Sequence, residues 1–429
     1  MPDILLRGGR VLDPMREFDA QADVLLKDGK IAAIERGLAA PGAKIVDVKD
    51  CWVVPGLIDL HVHLREPGQE YKESIETGTA AAAAGGFSAV CCMPNTSPPN
   101  DTRAVTDLIV QRARDKGVVR VYPIGCITQG QKGETLADMG ELQEAGCVAV
   151  SDDGHGVMNS EVMRRALEYA RSFRMPIVQH CEDSALSAGG AMHEGSASTR
   201  FGIRAQPAAA ESAMLARDLE LVALTGGRYH MAHISCAESV RLIRDAKQRG
   251  LPVTCEVTPH NLMLTDEACA GYDTFFKMNP PLRSSSDQAA LREALADGTI
   301  DAIATDHAPH SPVEKEVEFE QAGNGVIGLE TALALALELV EAGVLTPAKL
   351  VARMSAGPAK VLGLPGGSLG LGTVADVTVI DPKAAWTCDP ARFHSKARNT
   401  PFGGRAMRGL AVLTVVGGAI VFSEERFIA

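Results

Sequence analysis

Aromatic residues are scarce in this chain, at 4% of 429 residues with only two tryptophans. A core of this composition must come mostly from Ala, Val, Ile and Leu, which suits an α/β enzyme. No CxxC pair occurs among the ten cysteines, and several, such as Cys91 and Cys92 in "AVCCMPN", sit inside apolar runs. They read as reduced core thiols, which excludes a disulfide-stapled secreted scaffold. Positive charge is in deficit, with a formal net charge of −12. That argues against a general nucleic-acid or anionic-membrane surface, so an anionic ligand needs a local cation. Long apolar runs are missing as well. "MPDILLRGGR" at the start has no signal-peptide stretch, and "AVLTVVGGAIVF" near the end is too short and too glycine-broken to span a bilayer. The expectation is a soluble cytoplasmic protein.

The length allows one large barrel of about 250 residues plus a smaller unit. The two chain ends resemble one another: "ADVLLKDGKIAAIE" turns at Asp28-Gly29, and "LTVVGGAIVF" turns at Gly417-Gly418. Both are short hairpin signals, and together they predict one small β-sandwich unit built from residues 1–52 and 366–429. Residues 53–365 alternate short apolar strands with Ala- and Leu-rich helical segments. Eight strand candidates can be counted: "VVPGLIDLHVHL", "FSAVCCMPN", "VRVYPIGCIT", "CVAVSDDG", "PIVQHCED", "RYHMAHIS", "PVTCEVTPHN" and "IDAIATDHAPH". Eight strands separated by helices predict an α/β fold of the (β/α)8 TIM-barrel type.

Most of these strands begin apolar and end on ionisable residues. In such a barrel the C-terminal strand ends form the active face, so those residues would converge there. His61 and His63 lie two apart, and strand alternation would point them, and Arg65 after them, to one side. Asp153, His180, His233 and Asp306 follow at the ends of strands four, five, six and eight. Each has a plainer reading when taken singly: a surface pair for HxH, a backbone-bonded core histidine for His180 or His233, and a turn or cap residue for Asp153 or Asp306. Four imidazoles and two carboxylates at one rim are a mixed N/O donor set suited to zinc or a similar divalent metal. His230, His260 and His307 are assigned to packing or to supporting these ligands.

"GLIDLHVHLREPG", "MPNT", "SDDG", "QHCED", "AHIS", "KMNPPLR" and "ATDHAPH" resemble, in content and in order, the signature segments of the long bacterial dihydroorotases of the amidohydrolase superfamily. The resemblance covers essentially the whole chain. It implies reversible interconversion of N-carbamoyl-L-aspartate and dihydroorotate, the ring-closing step of pyrimidine biosynthesis, with zinc at the barrel end. It makes His61 and His63 ligands of one ion and His180 and His233 ligands of a second. Asp306 becomes a ligand and the proton-carrying base, and Asp153 a bridging ligand, with one or two Zn2+ ions held and two favoured. Many superfamily members bridge two metals with a carboxylated lysine, yet no lysine occurs between Lys132 and Lys247. A carboxylate must bridge instead, and Asp152 competes with Asp153 for that role.

Substrate residues follow from the same resemblance. Arg65, Asn95 and His310 would surround the ring carboxylate, Asn279 would lie near the ring, and backbone groups of Asn324 and Gly325 would meet the ring amides. A guanidinium is well shaped for a carboxylate, although Arg65 could instead form a surface ion pair with Glu66 or Asp59. The charge-rich run from Ser311 to Gly325 reads either as a loop shielding the site or as a solvated excursion. Competing functions are a cyclic amidase of the dihydropyrimidinase, hydantoinase or allantoinase kind, and an inactive scaffold for an aspartate carbamoyltransferase. The resemblance implies a homodimer and allows association with an aspartate carbamoyltransferase.

Overall fold

The computed structural model describes residues 2–424. Eight parallel strands form the larger sheet: β1 (Leu57–Val62), β2 (Phe87–Cys92), β3 (Arg120–Gly125), β4 (Ala149–Ser151), β5 (Ile177–Gln179), β6 (Tyr229–Met231), β7 (Val253–Val257) and β8 (Ala302–Ile303). Each pairs with its neighbour in sequence. The ring closes between β8 and β1 through an isolated bridge of Val62 with His307, where the His63 N–H donates to the His307 carbonyl at 2.9 Å. The expected TIM-like barrel is what forms.

Strand alternation sorts the barrel's contents. Tyr229 and Met231 pack outward beneath the helices, as do Val253, Cys255 and Val257. His230, Thr254 and Glu256 between them therefore point inward. The interior apolar cluster is built largely from small or slender residues, including Ala89, Ala149, Ala232, Ala302 and Ala304 beside Ile58 and Leu60. This is the consequence of scarce aromatics. It leaves room inside the barrel for polar side chains.

The chain ends make a second, mixed eight-stranded sheet. Its N-terminal strands run from Ile4 to Pro55, and Val377–Thr387, Ala406–Val416 and Ala419–Ser423 come from the far end. Val53 pairs with both Val11 and Val379, which joins the two halves in one ladder. Both expected hairpins are present. Asp28 and Gly29 have φ of 51° and 73°, and Gly417 and Gly418 have 57° and 83°, the left-handed backbone that tight two-residue turns require. The two turns touch: the Gly29 carbonyl accepts from Ala375 N, whose own carbonyl accepts from Gly418 N. A side chain at Gly418 would sit 2.8 Å from the Gly29 backbone. All ten cysteines lie among the described residues, buried as thiols rather than joined in disulfides. Among the described residues no helix is long and apolar enough to cross a membrane.

Candidate metal centre and substrate cavity

The six ionisable residues expected at the rim converge there, all buried. His61 lies within β1, whereas Asp153, His180, His233 and Asp306 come one to three residues after β4, β5, β6 and β8. His233 and Asp306 have φ of 33° and 48°, and Arg65 has 60°. Such conformations are costly for residues other than glycine, and surrounding structure must hold them. Alternation does not carry through to Arg65. β1 ends at Val62, its pairing with β2 slips between Asp59 and Val62, and Arg65 reaches the same cavity from a loop with left-handed backbone.

The donor atoms form two overlapping triads, His61 with Asp153 and His233, and His61 with His63 and Asp306, each within 4.8 Å. His180 Nδ1 joins them, 2.9 Å from His233 Nε2 and 3.8 Å from Asp153 Oδ1. His61 Nε2 and Asp153 Oδ1 are buried, face one another at 3.4 Å and lack any hydrogen-bond partner. Orphaned buried donors are uncommon. Pointed at one spot in a His/Asp set, they fit a divalent cation. Burial favours protonated acids, but His61 and its neighbours outweigh it and hold Asp153 well below, and Asp306 below, the usual carboxylate range. Both are therefore anionic.

Further side chains orient these ligands. Glu256 accepts from His61 Nδ1 at 2.7 Å and contacts His230 Nε2 at 3.2 Å, so His61 Nε2 is turned toward the centre. Glu182 engages His180 Nε2 at 2.7 Å, turning Nδ1 inward. Asn95 bridges His63 Nδ1 at 2.8 Å and Asp153 Oδ2 at 3.2 Å. Asp152 is excluded from the cluster. Its carboxylate accepts from the backbone N–H groups of Ile127 and Thr128 and from the Thr128 hydroxyl. The signal for Glu256 in the sequence is a lone carboxylate in the apolar run "PVTCEVTPHN". His307 supports from outside, contacting Glu73 at 3.3 Å.

Above the cluster lies a cavity of about 220 Å³ lined by five of the six donors, all but His61. Arg65, Asn95, Asn279, His310, Asn324 and Gly325 line it too. The alternative ion pairs of Arg65 do not form: Glu66 bonds Ile75 N and Arg112, and Asp59 bonds the backbone of His61 and Thr305. Among the described residues Arg65 spends only Nε, on the Pro309 carbonyl at 3.2 Å. His310 gives Nε2 to the Asn324 carbonyl at 2.7 Å, and burial followed by the Arg65 charge pushes its pKa down to about 3. It is thus a neutral ring that positions Asn324. The run from Ser311 to Gly325 is not a solvated excursion throughout, since Lys315, Phe319 and Ala322 are buried. A wider groove of about 890 Å³ lies elsewhere, between the C-terminal strands and Glu330, and among the described residues it holds no comparable donor cluster.

Residues 51–239 match the family model described as dihydro-orotase-like. The chain is 57% identical over 430 residues to a dihydroorotase of Anaeromyxobacter dehalogenans, covering 99% of both chains. It is 54% identical to a dihydroorotase of Geobacter metallireducens, over 98% of this chain and all of the relative. Among solved structures, an L-hydantoinase (dihydropyrimidinase) from Arthrobacter aurescens superposes with a TM-score of 0.89 at 28% identity, covering 100% of this chain and 98% of that one. By sequence over its whole length, with a fold shared by related cyclic amidases, this chain belongs to the dihydroorotase family.

Proposed function

We propose that the chain hydrolyses the ring amide of dihydroorotate to N-carbamoyl-L-aspartate and catalyses the reverse closure. The observation that carries this is one small cavity with a buried His/Asp donor set on its floor and a nearly unspent guanidinium, Arg65, on its wall. His61, His63, Asp153, His180, His233 and Asp306 would hold one or two divalent ions, zinc by preference. Such an ion supplies Lewis acidity to the amide carbonyl and lowers the pKa of water toward 7.

The chain's own residues do the rest. Arg65 takes the ring carboxylate through its free N–H groups and so fixes which ring edge meets the floor. Asn279 and the backbone of Asn324 and Gly325 border the ring amides. Asp306, anionic and 3.1 Å from His63, accepts the proton of the attacking water as the new C–O bond forms. It then delivers that proton to the ring nitrogen as the C–N bond breaks. In ring closure it removes the proton from the carbamoyl nitrogen instead.

A cyclic amidase acting on uncharged rings shares the fold, but a ring without a carboxylate leaves Arg65 without a partner. Turnover of dihydroorotate set against dihydrouracil, hydantoin and allantoin, with metal analysis of the same preparation, decides between them. A preparation lacking both metal and activity would favour a scaffold for an aspartate carbamoyltransferase. A cytoplasmic homodimer, with or without that partner, accompanies the reading and is tested by sedimentation with and without the transferase.

A further inference from the structure

The loops that carry Asn279 and Asn324 contain two buried ammonium groups, Lys277 and Lys315, outside the donor cluster. Every hydrogen bond of either goes to a backbone carbonyl. Lys315 Nζ donates to Thr274 at 3.0 Å, Lys277 at 3.2 Å and Gly323 at 2.7 Å. Lys277 Nζ donates to Glu320 and Ala322, each at 2.8 Å. The pattern is reciprocal: each lysine, from its own loop, ties carbonyls of the other. Between them the Gly325 N–H donates to the Lys277 carbonyl at 3.0 Å. Among the described residues the carbonyls of Glu320, Ala322 and Gly323 have no other hydrogen bond, so without the lysines three acceptors beside the wall would lack partners.

The bound carbonyls flank the substrate wall. Gly323 is next to Asn324, Gly325 is itself a wall residue, and Lys277 lies two residues before Asn279. We propose that Lys277 and Lys315 form a reciprocal staple that presets the wall of Asn279, Asn324 and Gly325 before substrate arrives, acting as positioning residues for ring binding. The inference rests on the dihydroorotase reading for its substrate, but its geometry does not involve the metal ligands. Keeping two like charges this close and buried is costly, as the Lys315 pKa reflects: burial, then the Lys277 charge, push it down to about 7. A merely stable loop could be built from apolar residues. Fixing several carbonyl directions at once calls for a compact multi-donor group.

The test is the pair of variants Lys315→Met and Lys277→Met. KM for dihydroorotate is expected to rise about ten- to a hundredfold through misplacement of the wall, with kcat within about threefold and metal content per chain unchanged. An unchanged KM, or a fall of kcat and metal content alongside it, overturns the staple. Should either variant fail to fold, hydrogen exchange of the wild-type chain still decides. Amides 320–326 should be strongly protected without substrate and gain nothing at saturating dihydroorotate, whereas protection appearing only on binding overturns the proposal. Absent dihydroorotate turnover in the wild type would remove the functional reading alone, because exchange in the ligand-free chain needs no substrate.

Discussion

Leu6, Val11, Val24, Val53, Val377 and Val415 fill the terminal sheet with apolar side chains shielded from water. At the barrel rim, by contrast, His61 Nε2 and Asp153 Oδ1 are buried without partners, and Arg65, His233 and Asp306 take left-handed backbone. One region spends its burial on apolar contact, which is favourable by itself. The other buries charges and strain that are unfavourable until a ligand arrives. The difference separates the part of the chain that stabilises the fold from the part that does chemistry, and it predicts opposite responses to substitution.

The largest effect should come from Asp306→Asn. Removing the proton carrier leaves the fold intact, since Asp306 contributes no apolar contact, and kcat for dihydroorotate should fall about a thousandfold or more. Steady-state turnover alongside thermal unfolding checks both halves. Wild-type kcat in that variant would end the assignment. Next, Leu6→Ala should reverse the pattern: unfolding free energy drops by about 3 kcal/mol through the cavity left behind, while kcat/KM and metal content stay as in the parent. A large loss of activity in the still-folded variant would break the comparison.

Glu256→Gln probes the boundary between the two regimes. Gln can still meet His61 Nδ1 but cannot serve His61 and His230 together as an anion. Metal affinity, read by chelator competition, should weaken about ten- to a hundredfold. Unchanged affinity would make Glu256 a packing residue and shrink the functional region to the rim itself.

How legible this division is in sequence depends on what each residue contacts. The barrel is legible because strands two to eight alternate with helices in order, and the cluster of six candidate ligands because they fall at or just beyond the strand ends. Strand alternation points Arg65 toward the His61 side, whereas it lines the cavity from a loop turn with left-handed backbone. Asp152 and Asp153 cannot be separated in sequence, since what separates them is the backbone of Ile127 and Thr128, donated from another loop. In sequence Lys315 is one more charge in "SPVEKEVEFE". Its partners are carbonyls, which every residue has, so nothing in the sequence marks it as buried.

The smallest effect concerns Glu330, in the wide groove away from the rim. Burial, and secondarily the charge of Glu73, push its carboxyl up to about 7. Its acceptor oxygens meet the backbone N–H groups of His394 at 2.9 Å and Ser395 at 3.1 Å. A raised pKa in the folded state means the folded chain holds this proton more tightly than the unfolded chain does. The stability it contributes is therefore full below the ordinary glutamate value and lost as pH rises through 7. Glu330→Gln removes the titration and keeps an acceptor oxygen for one of the two N–H groups, which bond different oxygens of Glu330. Discounted for partial exposure, the variant should be more stable than its parent by about 1 kcal/mol near pH 8, and indistinguishable near pH 4. Urea unfolding at the two pH values measures this. Ser395 also bonds Glu73, which contacts His307 next to Asp306, so there is a chain of contacts from the groove to the rim. If Glu330→Gln left stability unchanged but shifted the pH profile of kcat, charge in the groove would be felt at the metal centre. The two regions would then be one electrostatic unit.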